Sequence, residues 1–391
     1  MLQKEKLLQA KEIMKNSQSD VWITLVRETA QTPDPVIPLL STVDYTWLSA
    51  IMFTNSGRAM ALVGNHDEEG IKQMGLFDEV YSYQEDFTPV FSELIHQISP
   101  TSIAINYSED FPAADGLSHG LYLRFVEILN SIGFEGKLVS SADIIRRLRG
   151  QKTPSELHLI KDAVHTAQTI FDAAASIIRP GMSEKEIYAF FHHRMQVLSV
   201  SPAWLAAQCP GVMAGPLSAQ GHNGPTDIRL LPGDVMTIDF GVEKSEYCSD
   251  LQRVYYVPES SDNRISKEVE TAFHTVRSAV EEAAKFIKPG VTGFETDAVA
   301  RNFVTSRGYP EWTYALGHEV GRNVHDGGTI LGPHWARYKG SVDLPLLEGN
   351  VFTLELGVPT SHGYVGLEEM VVVTSHGAEF LSTPQQFPYI L

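Results

Sequence analysis

Residues 237–250, TIDFGVEKSEYCSD, place an acid near each end of what is predicted to be one hairpin. Asp239 lies inside an apolar run, where an unpaired carboxylate is expensive to bury. A turn at Lys244-Ser245 predicts that Asp239 and Asp250 face each other on neighbouring strands, with Cβ atoms about 4.5–5.5 Å apart. Two carboxylates held this close in a protein interior either share a proton or bind a cation.

A second hairpin near the C-terminus repeats this arrangement. One predicted strand carries Glu355, and the next carries Glu368 and Glu369. A turn centred on Ser361-His362 places Glu355 opposite Glu368. A single acid pair is explained better by one acid that points to solvent or caps a turn than by a metal site. Two such pairs in one chain favour a shared site for divalent cations, which bind oxygen ligands.

The stretch GHEVGRNVHDGG, residues 317–328, supplies candidate nitrogen ligands. His318 and His325 lie seven residues apart, next to glycines that allow the backbone to approach closely. First-row transition metals usually recruit imidazole in addition to carboxylate. The two cysteines form no zinc-ligand pattern, so the sequence disfavours a structural zinc site.

Composition excludes several classes of function. The 391 residues suggest two domains, and the formal net charge of −18 argues against a nucleic-acid or anionic-membrane partner. No run approaches the roughly 18 apolar residues that span a bilayer, and the N-terminus lacks the apolar core of a signal peptide. Two cysteines are typical of a protein from a reducing compartment, so we expect a cytoplasmic location.

The domain boundary is predicted near residue 150. Alternation of strand-like and helical runs predicts an α/β domain over 1–150. The sequence Thr153-Pro154-Ser155-Glu156 is typical of a helix start, and it opens a second domain over 151–391. The runs in the first domain are the strands 21–26, 59–64 and 102–107 and the helices 87–98 and 119–134.

The second domain contains a weak internal repeat. A helix, a Pro-Gly stop and a second helix occur twice, and the two stops, at Pro180-Gly181 and Pro289-Gly290, lie 109 residues apart. A Pro-Gly stop alone is common and could recur by chance. Because each copy leads into a hairpin with buried acids, we expect a duplicated α+β unit whose site lies between the halves.

Six motifs in order carry a family resemblance: HNGPTDIRLLPGDVMTIDFG, YCSD, GHEVG, NVHD, LELG and GLEEMVVVT. The chain resembles the pita-bread metallopeptidases, which include methionine aminopeptidase, Xaa-Pro aminopeptidase and prolidase. Its first 150 residues are similar to the Xaa-Pro aminopeptidase, prolidase and creatinase branch. The resemblance implies an α/β creatinase-like N-terminal domain and an α+β pita-bread catalytic domain with an internal pseudo-two-fold repeat.

The resemblance also implies residue roles. Two divalent ions, manganese with cobalt or zinc as alternatives, would be held by Asp239, Asp250, His318, Glu355 and Glu368. The family pattern selects Glu368 over Glu369 as the ligand. Three catalytic residues are implied: His222 and His325 as hydrogen-bond donors to the substrate, and Glu355 as a proton shuttle to the leaving nitrogen.

The implied function is hydrolysis of Xaa-Pro peptide bonds, by a dipeptidase or an aminopeptidase. The implied partners are a small Xaa-Pro peptide and a second copy of the chain in a homodimer. Three positions depart from the family pattern and concern specificity: Tyr314 stands for a histidine, Leu356 for a proline and Gly366 for an arginine.

Two alternatives stay open. A creatinase-like hydrolase would cleave an amidino or amide C–N bond of a small molecule on the same fold. A non-catalytic binding protein on this fold is disfavoured, because such a protein is expected to lose ligands and this chain keeps all five. The dipeptide His334-Trp335 lies between motifs and receives no role.

Overall fold

The computed structural model of the chain describes residues 2–221, 223–259 and 264–391. Residue contacts divide the chain into two units, Met1–Arg149 and Gly150–Leu391. Within the described ranges, no helix combines the length and the apolar character that crossing a bilayer requires.

The first unit is built around one mixed sheet. Its helices are α1 (Leu2–Lys15), α2 (Ile37–Leu40), α3 (Glu68–Met74), α4 (Phe87–Ile98), α5 (His119–Ser131) and α6 (Ala142–Gly150). Its strands are β1 (Val21–Val26), β2 (Ser49–Thr54), β3 (Ala59–Gly64), β4 (Glu79–Tyr83), β5 (Ser102–Ile105) and β6 (Lys137–Ser140). The strand order is β4-β3-β2-β1-β5-β6, with β2 antiparallel to both of its neighbours and the other pairs parallel.

Both faces of this sheet are covered by helices. Trp22 packs with residues of α1 and α6 on one face and stacks on Phe53 at 5.2 Å between ring centroids. Ile23, the next residue of β1, packs with Phe91 of α4 and Phe125 of α5 on the other face. A strand buried on both faces requires a continuous apolar run, and this explains VWITLV. The predicted α/β character is therefore confirmed, although β5 and α5 end two and three residues earlier than predicted.

The second unit contains four long helices and many short strands. The helices are α7 (Pro154–Ile177), α8 (Glu184–Leu198), α9 (Lys267–Phe286) and α10 (Gly293–Thr305). The strands are β7 (Ser201–Pro202), β8 (Gly211–Ala214), β9 (Val235–Phe240), β10 (Val242–Lys244), β11 (Tyr247–Cys248), β12 (Leu251–Tyr256), β13 (Gly317–His318), β14 (Ile330–Leu331), β15 (Val351–Thr360), β16 (Gly363–Thr374), β17 (Gly377–Phe380) and β18 (Tyr389–Ile390).

The main sheet of this unit has the order β15-β16-β12-β9-β8, with β17 beside β16 and β18 beside β12. One face of the sheet packs on the helices. Leu354 and Leu356 lie in the core with α9 and α10, and Phe240 contacts Phe171 and Phe191 of α7 and α8. Because side chains alternate between the two faces of a strand, the acids between these apolar residues project from the opposite face.

The internal repeat is visible in the helix connections. The glycine of each Pro-Gly stop has a positive φ, 90° at Gly181 and 93° at Gly290. Its N–H donates to the carbonyl of Leu230 in the first copy and of Leu346 in the second, at 2.7 and 2.9 Å. The following helix begins in both copies with a capping box, in which side chains satisfy the first free N–H groups. The predicted repeat of helix, stop and helix is confirmed.

Candidate metal centre

Four polar side chains form one row across the open face of the sheet of the second unit. Glu355 pairs with Glu368 across β15 and β16, which confirms the predicted register of this hairpin. Glu368 pairs with Gln252 on β12, and Gln252 pairs with Asp239 on β9. Directly paired residues on neighbouring strands point to the same face. We call Glu355, Glu368, Gln252 and Asp239 the transverse row.

The predicted register of the first hairpin was wrong by two residues. Its turn lies at Ser245-Glu246, where both residues have positive φ angles, 51° and 65°, so Asp239 faces Gln252 and not Asp250. Positive φ at both central residues is the type I′ geometry that matches strand twist, and it usually recruits Asn-Gly. A shift of two residues preserves the face, so Asp250 still projects to the side of the transverse row.

The transverse row is pseudo-symmetric. Asp239 and Glu355 are separated by 116 residues in the chain, and so are Gln252 and Glu368. The same separation relates Asp250 to Gly366. The repeat therefore contains two related positions. One carries the carboxylates of Asp250 and Glu368, and we call it the acidic place. The other carries the Gln252 amide and Gly366, and we call it the neutral place.

The acidic place also contains a histidine. Asp250, His318 and Glu368 each offer a ligand atom, and these atoms lie within 4.8 Å of one another. The Nε2 atom of His318 lies 3.6 Å from Oδ2 of Asp250 and 3.9 Å from Oε1 of Glu355. Asp250, which directly precedes β12, therefore converges on one point with residues from β13, β15 and β16.

His318 is held in place by close contact with β15. Its N–H donates to Oγ1 of Thr353 at 3.1 Å. A Cβ atom on the preceding residue, Gly317, would lie 2.0 Å from the Thr353 carbonyl oxygen, so only glycine allows this approach. His325 is exposed and lies against His318, with ring centroids 4.4 Å apart and planes nearly perpendicular.

The loop that carries His325 is anchored by the next residue. Asp326 forms a salt bridge with Lys152, at 2.9 Å between Oδ2 and Nζ, and both side chains are buried. Removing one partner from such a pair leaves an uncompensated buried charge, which is strongly destabilising. This pair therefore fixes the position of the His325 loop. The predicted site residue His222 lies outside the described residues.

Burial shapes the acid–base properties of the carboxylates. It raises the pKa of Asp239 to about 7 and, together with the charge of Asp239, the pKa of Glu355 to about 8. It also raises the pKa of Asp250 and of Glu368 well above their usual range, and repulsion between the carboxylates adds to the effect. Gln252 partly offsets the increase in the pKa of Glu355, because its Nε2 donates a hydrogen bond to Oε2 of Glu355 at 3.4 Å. Without a counter-charge, these groups do not all ionise near neutral pH.

The carboxylates also have unused lone pairs. The Oδ1 atoms of Asp239 and Asp250 are buried, and neither has a hydrogen-bond partner among the residues that the structure describes. Buried polar atoms nearly always have a partner, so two orphaned oxygens in one place need an explanation. Several carboxylates and one imidazole suit divalent first-row metals. The residues present therefore fit divalent cations.

The neighbour of Glu368 has a different environment. Glu369 projects from the opposite face of β16 and forms a buried ion pair with Arg253 at 3.0 Å. Its carboxylate also accepts hydrogen bonds from Ser382 and from the backbone N–H of Gln385. All these partners lie away from the transverse row, so Glu369 serves the interior of the second unit.

Sequence reasoning missed Gln252 in the transverse row. Its position in the repeat, 116 residues before Glu368, is the pattern that could have found it. At Gly366, one departure from the family pattern, a Cβ atom would lie 2.7 Å from the ring of Tyr364 and 2.8 Å from Oε1 of Gln252. Leu356 is buried among the helices on the face opposite Glu355, whereas Tyr314 is exposed and contacts Trp312 edge to face.

The dipeptide His334-Trp335 contributes to a surface region of the second unit. His334 stacks on Phe294, and its Nε2 atom lies 2.7 Å from Asp343. Trp335 stacks on Tyr338 and lines a cavity of about 500 Å³ together with Glu311, Trp312, Thr313 and Arg337. Neither side chain belongs to the transverse row.

Comparisons with known proteins agree with this geometry. The family model described as metallopeptidase family M24 matches residues 158–375. A protein named Xaa-Pro dipeptidase from Pyrococcus horikoshii is 30% identical over 274 residues, which are 69% of this chain and 73% of that protein. A second Xaa-Pro dipeptidase, from Lactobacillus helveticus, is 32% identical over 249 residues, 60% of this chain and 61% of that protein.

A solved structure covers nearly the whole chain. The X-Pro aminopeptidase from Thermotoga maritima MSB8 superimposes with a TM-score of 0.71 and 27% sequence identity, over 97% of this chain and 100% of that chain. The similarity therefore includes both units, each with its own fold.

Proposed function

The chain belongs to metallopeptidase family M24, and we propose that it is a hydrolase of Xaa-Pro peptide bonds that works with two divalent cations. Two kinds of relative support this: the similar proteins named Xaa-Pro dipeptidase and the similar structure named X-Pro aminopeptidase. The observation that carries the proposal is the convergence of Asp250, His318 and Glu368 beside the transverse row.

Five side chains are proposed as ligands of the two cations, namely Asp239, Asp250, His318, Glu355 and Glu368. Four carboxylates this close repel one another, and two dications would neutralise them. The orphaned oxygens of Asp239 and Asp250 support the same assignment. When bound, such cations supply Lewis-acid chemistry, which lowers the pKa of water and polarises a carbonyl oxygen.

Glu355 is proposed to move the proton. Its carboxylate is about one quarter exposed, so it remains accessible to substrate. A carboxylate that substrate can reach is able to accept a proton and pass it on. The leaving nitrogen of an Xaa-Pro bond is a tertiary amide without N–H, so it must receive a proton to depart as the proline amine.

The two histidines are proposed to bind the substrate carbonyl. His325 is exposed at the edge of His318, where its imidazole can donate a hydrogen bond to an oxygen of the peptide. Such a donor stabilises the charge that develops on the carbonyl oxygen. His222 is proposed to act in the same way.

Further parts of the proposal concern the metal and the assembly. We propose manganese as the working metal, a homodimer as the assembly, a creatinase-like domain as the first unit, and the cytoplasm as the location. The two cysteines, Cys209 and Cys248, are both free and buried, which is consistent with a reducing compartment. A creatinase-like C–N hydrolase is the second candidate, because Gly366 and Gln252 leave one part of the site neutral.

One experiment tests the function. The protein is stripped with a chelator and assayed with Xaa-Pro dipeptides, Xaa-Pro-Yaa tripeptides, proline-free controls and amidino compounds, before and after each metal is returned. We expect hydrolysis of Xaa-Pro substrates alone, lost on stripping and restored best by manganese. Hydrolysis by the stripped protein, or equal cleavage of proline-free peptides, would refute the proposal.

A further inference from the structure

A buried tyrosine next to the transverse row has no assigned role. Tyr364 is only 7% exposed, and its hydroxyl has no hydrogen-bond partner among the described residues. A hydroxyl without a partner in a protein interior costs free energy. Such a group is expected to persist where it acquires a partner on ligand binding.

Tyr364 covers a part of the sheet surface where two paired residues have no side chain. The pair Gly357–Gly366 comes directly after the pair Glu355–Glu368 on β15 and β16, on the same face. A Cβ at Gly357 would lie 2.2 Å from the Tyr364 hydroxyl oxygen, and one at Gly366 would lie 2.7 Å from the ring. These two facing glycines make room for the phenol. Its hydroxyl therefore lies beside Gly357, the next residue of β15 on the same face as Glu355.

The phenol is held rigidly. Trp312 stacks on its ring, with centroids 5.9 Å apart and planes 16° from parallel. The hydroxyl of Thr237 donates a hydrogen bond to the carbonyl oxygen of Tyr364 at 2.6 Å. The same hydroxyl oxygen accepts a hydrogen bond from the N–H of Gly366 at 3.2 Å. Thr237 lies two residues before Asp239 on β9. The hydroxyl is therefore fixed relative to both ends of the transverse row.

The ring of Tyr364 borders the neutral place of the pseudo-symmetric site, because a Cβ atom at Gly366 would lie 2.7 Å from this ring and 2.8 Å from Oε1 of Gln252. The carboxylates whose charges act on the phenol are Glu355 and Asp239. A phenol keeps its proton at neutral pH, so the hydroxyl of Tyr364 can act as a donor. A fixed neutral donor suits an uncharged oxygen acceptor, such as a peptide carbonyl.

We propose that Tyr364 is a substrate-binding residue, whose hydroxyl donates a hydrogen bond to a carbonyl oxygen of the peptide bound beside Glu355. This inference rests on the proposed function. It assigns the neutral place of the repeat to the organic substrate and the acidic place to the cations. The phenol thus sets the position of the peptide without being a metal ligand.

The test compares Tyr364→Phe with wild type and with Tyr45→Phe, which removes the same oxygen from a buried tyrosine of the first unit. KM and kcat for an Xaa-Pro peptide, manganese content and melting temperature are measured for each. For Tyr364→Phe we expect KM to rise about three- to tenfold, as for the loss of one neutral hydrogen bond. We expect kcat within twofold, unchanged manganese content, and a melting temperature equal to or above that of wild type.

Three outcomes overturn the inference. An unchanged KM in Tyr364→Phe shows that the hydroxyl does not contact substrate. A lower melting temperature with unchanged KM assigns it to a structural hydrogen bond, and a loss of manganese that parallels the loss of activity assigns it to the metal centre. If wild type does not cleave Xaa-Pro peptides at all, the proposed function fails first, and this result is distinct from a variant that matches an active wild type.

Discussion

The metal-free protein should lose stability as the pH rises, and the size of the loss follows from the raised pKa values. Asp239 titrates near 3.8 in an unfolded chain and at about 7 in the folded protein. Glu355 titrates near 4.5 and at about 8. Between about pH 4.5 and 8, the folded state therefore holds protons that the unfolded chain has released. The free energy of unfolding must fall as the pH rises through this window, and Asp250 and Glu368, whose pKa values are also raised, add to the fall.

The magnitude can be worked from the same values. One pKa unit corresponds to about 1.4 kcal/mol, so the shift at Asp239 alone costs about 4 kcal/mol once the group is ionised. The two costs do not simply add, because the mutual repulsion is contained in the shift of Glu355. Glu355 is also partly exposed, so solvent screening reduces its share. We expect a total fall of at least about 4 kcal/mol between pH 5 and 8.5, because the raised pKa values of Asp250 and Glu368 add to it.

The assay is urea unfolding of chelated protein at pH 5, 6, 7, 8 and 8.5, with and without manganese. Manganese should remove most of the loss at high pH, since a ligand that binds only the folded state stabilises it by mass action. The metal-free Asp239→Asn variant should show a flatter pH profile than wild type, because its amide does not ionise. A metal-free wild type that is equally stable at pH 5 and 8.5 would refute the reasoning, as would an unchanged slope in Asp239→Asn.

Three further predictions concern single side chains. Asp250→Asn should reduce manganese content measured by atomic emission while the circular dichroism spectrum stays that of wild type; full occupancy would remove Asp250 from the ligand set. Glu369→Gln leaves the charge of Arg253 buried without a counter-charge, so urea unfolding should show a loss of about 3 kcal/mol with manganese content unchanged. Metal loss without destabilisation would contradict the placement of Glu369 in the interior. Lys152→Met breaks the buried pair with Asp326, so we expect the free energy of unfolding to fall by about 3 kcal/mol and kcat to be lower. A stable variant with wild-type kcat would show that this pair does not hold the His325 loop.

The sequence predicted the site best where local rules fix the strand pairing. The second hairpin has a two-residue turn at Ser361-His362, and its predicted pairing of Glu355 with Glu368 agrees with the structure. The first hairpin turns at Ser245-Glu246 in a backbone conformation that neither residue type announces, so its turn was placed one residue too early. An error of one residue in a turn becomes two residues in the register.

Long-range pairing was beyond sequence reasoning. The register of β12 against β16 depends on two strands that are more than 100 residues apart, and only this register places Gln252 between Glu368 and Asp239. The orientation of Tyr364 was equally hidden, because it depends on two glycines that face each other across β15 and β16. Composition and motif order describe the chemistry that a chain holds, whereas the neighbours of each group follow from the assembled sheet.

The alternation of Glu368 and Glu369 on β16 has a consequence for how such a protein can change over generations. These neighbours face opposite sides, one toward the transverse row and the other toward Arg253. Deleting or inserting a single codon within the strand would exchange their sides, so that Glu369 leaves Arg253 for the cleft and Glu368 enters the interior at a position where it no longer faces that arginine. Point substitutions can therefore change the side chains of the cleft one at a time. A change in strand length would disrupt the cleft and the interior together.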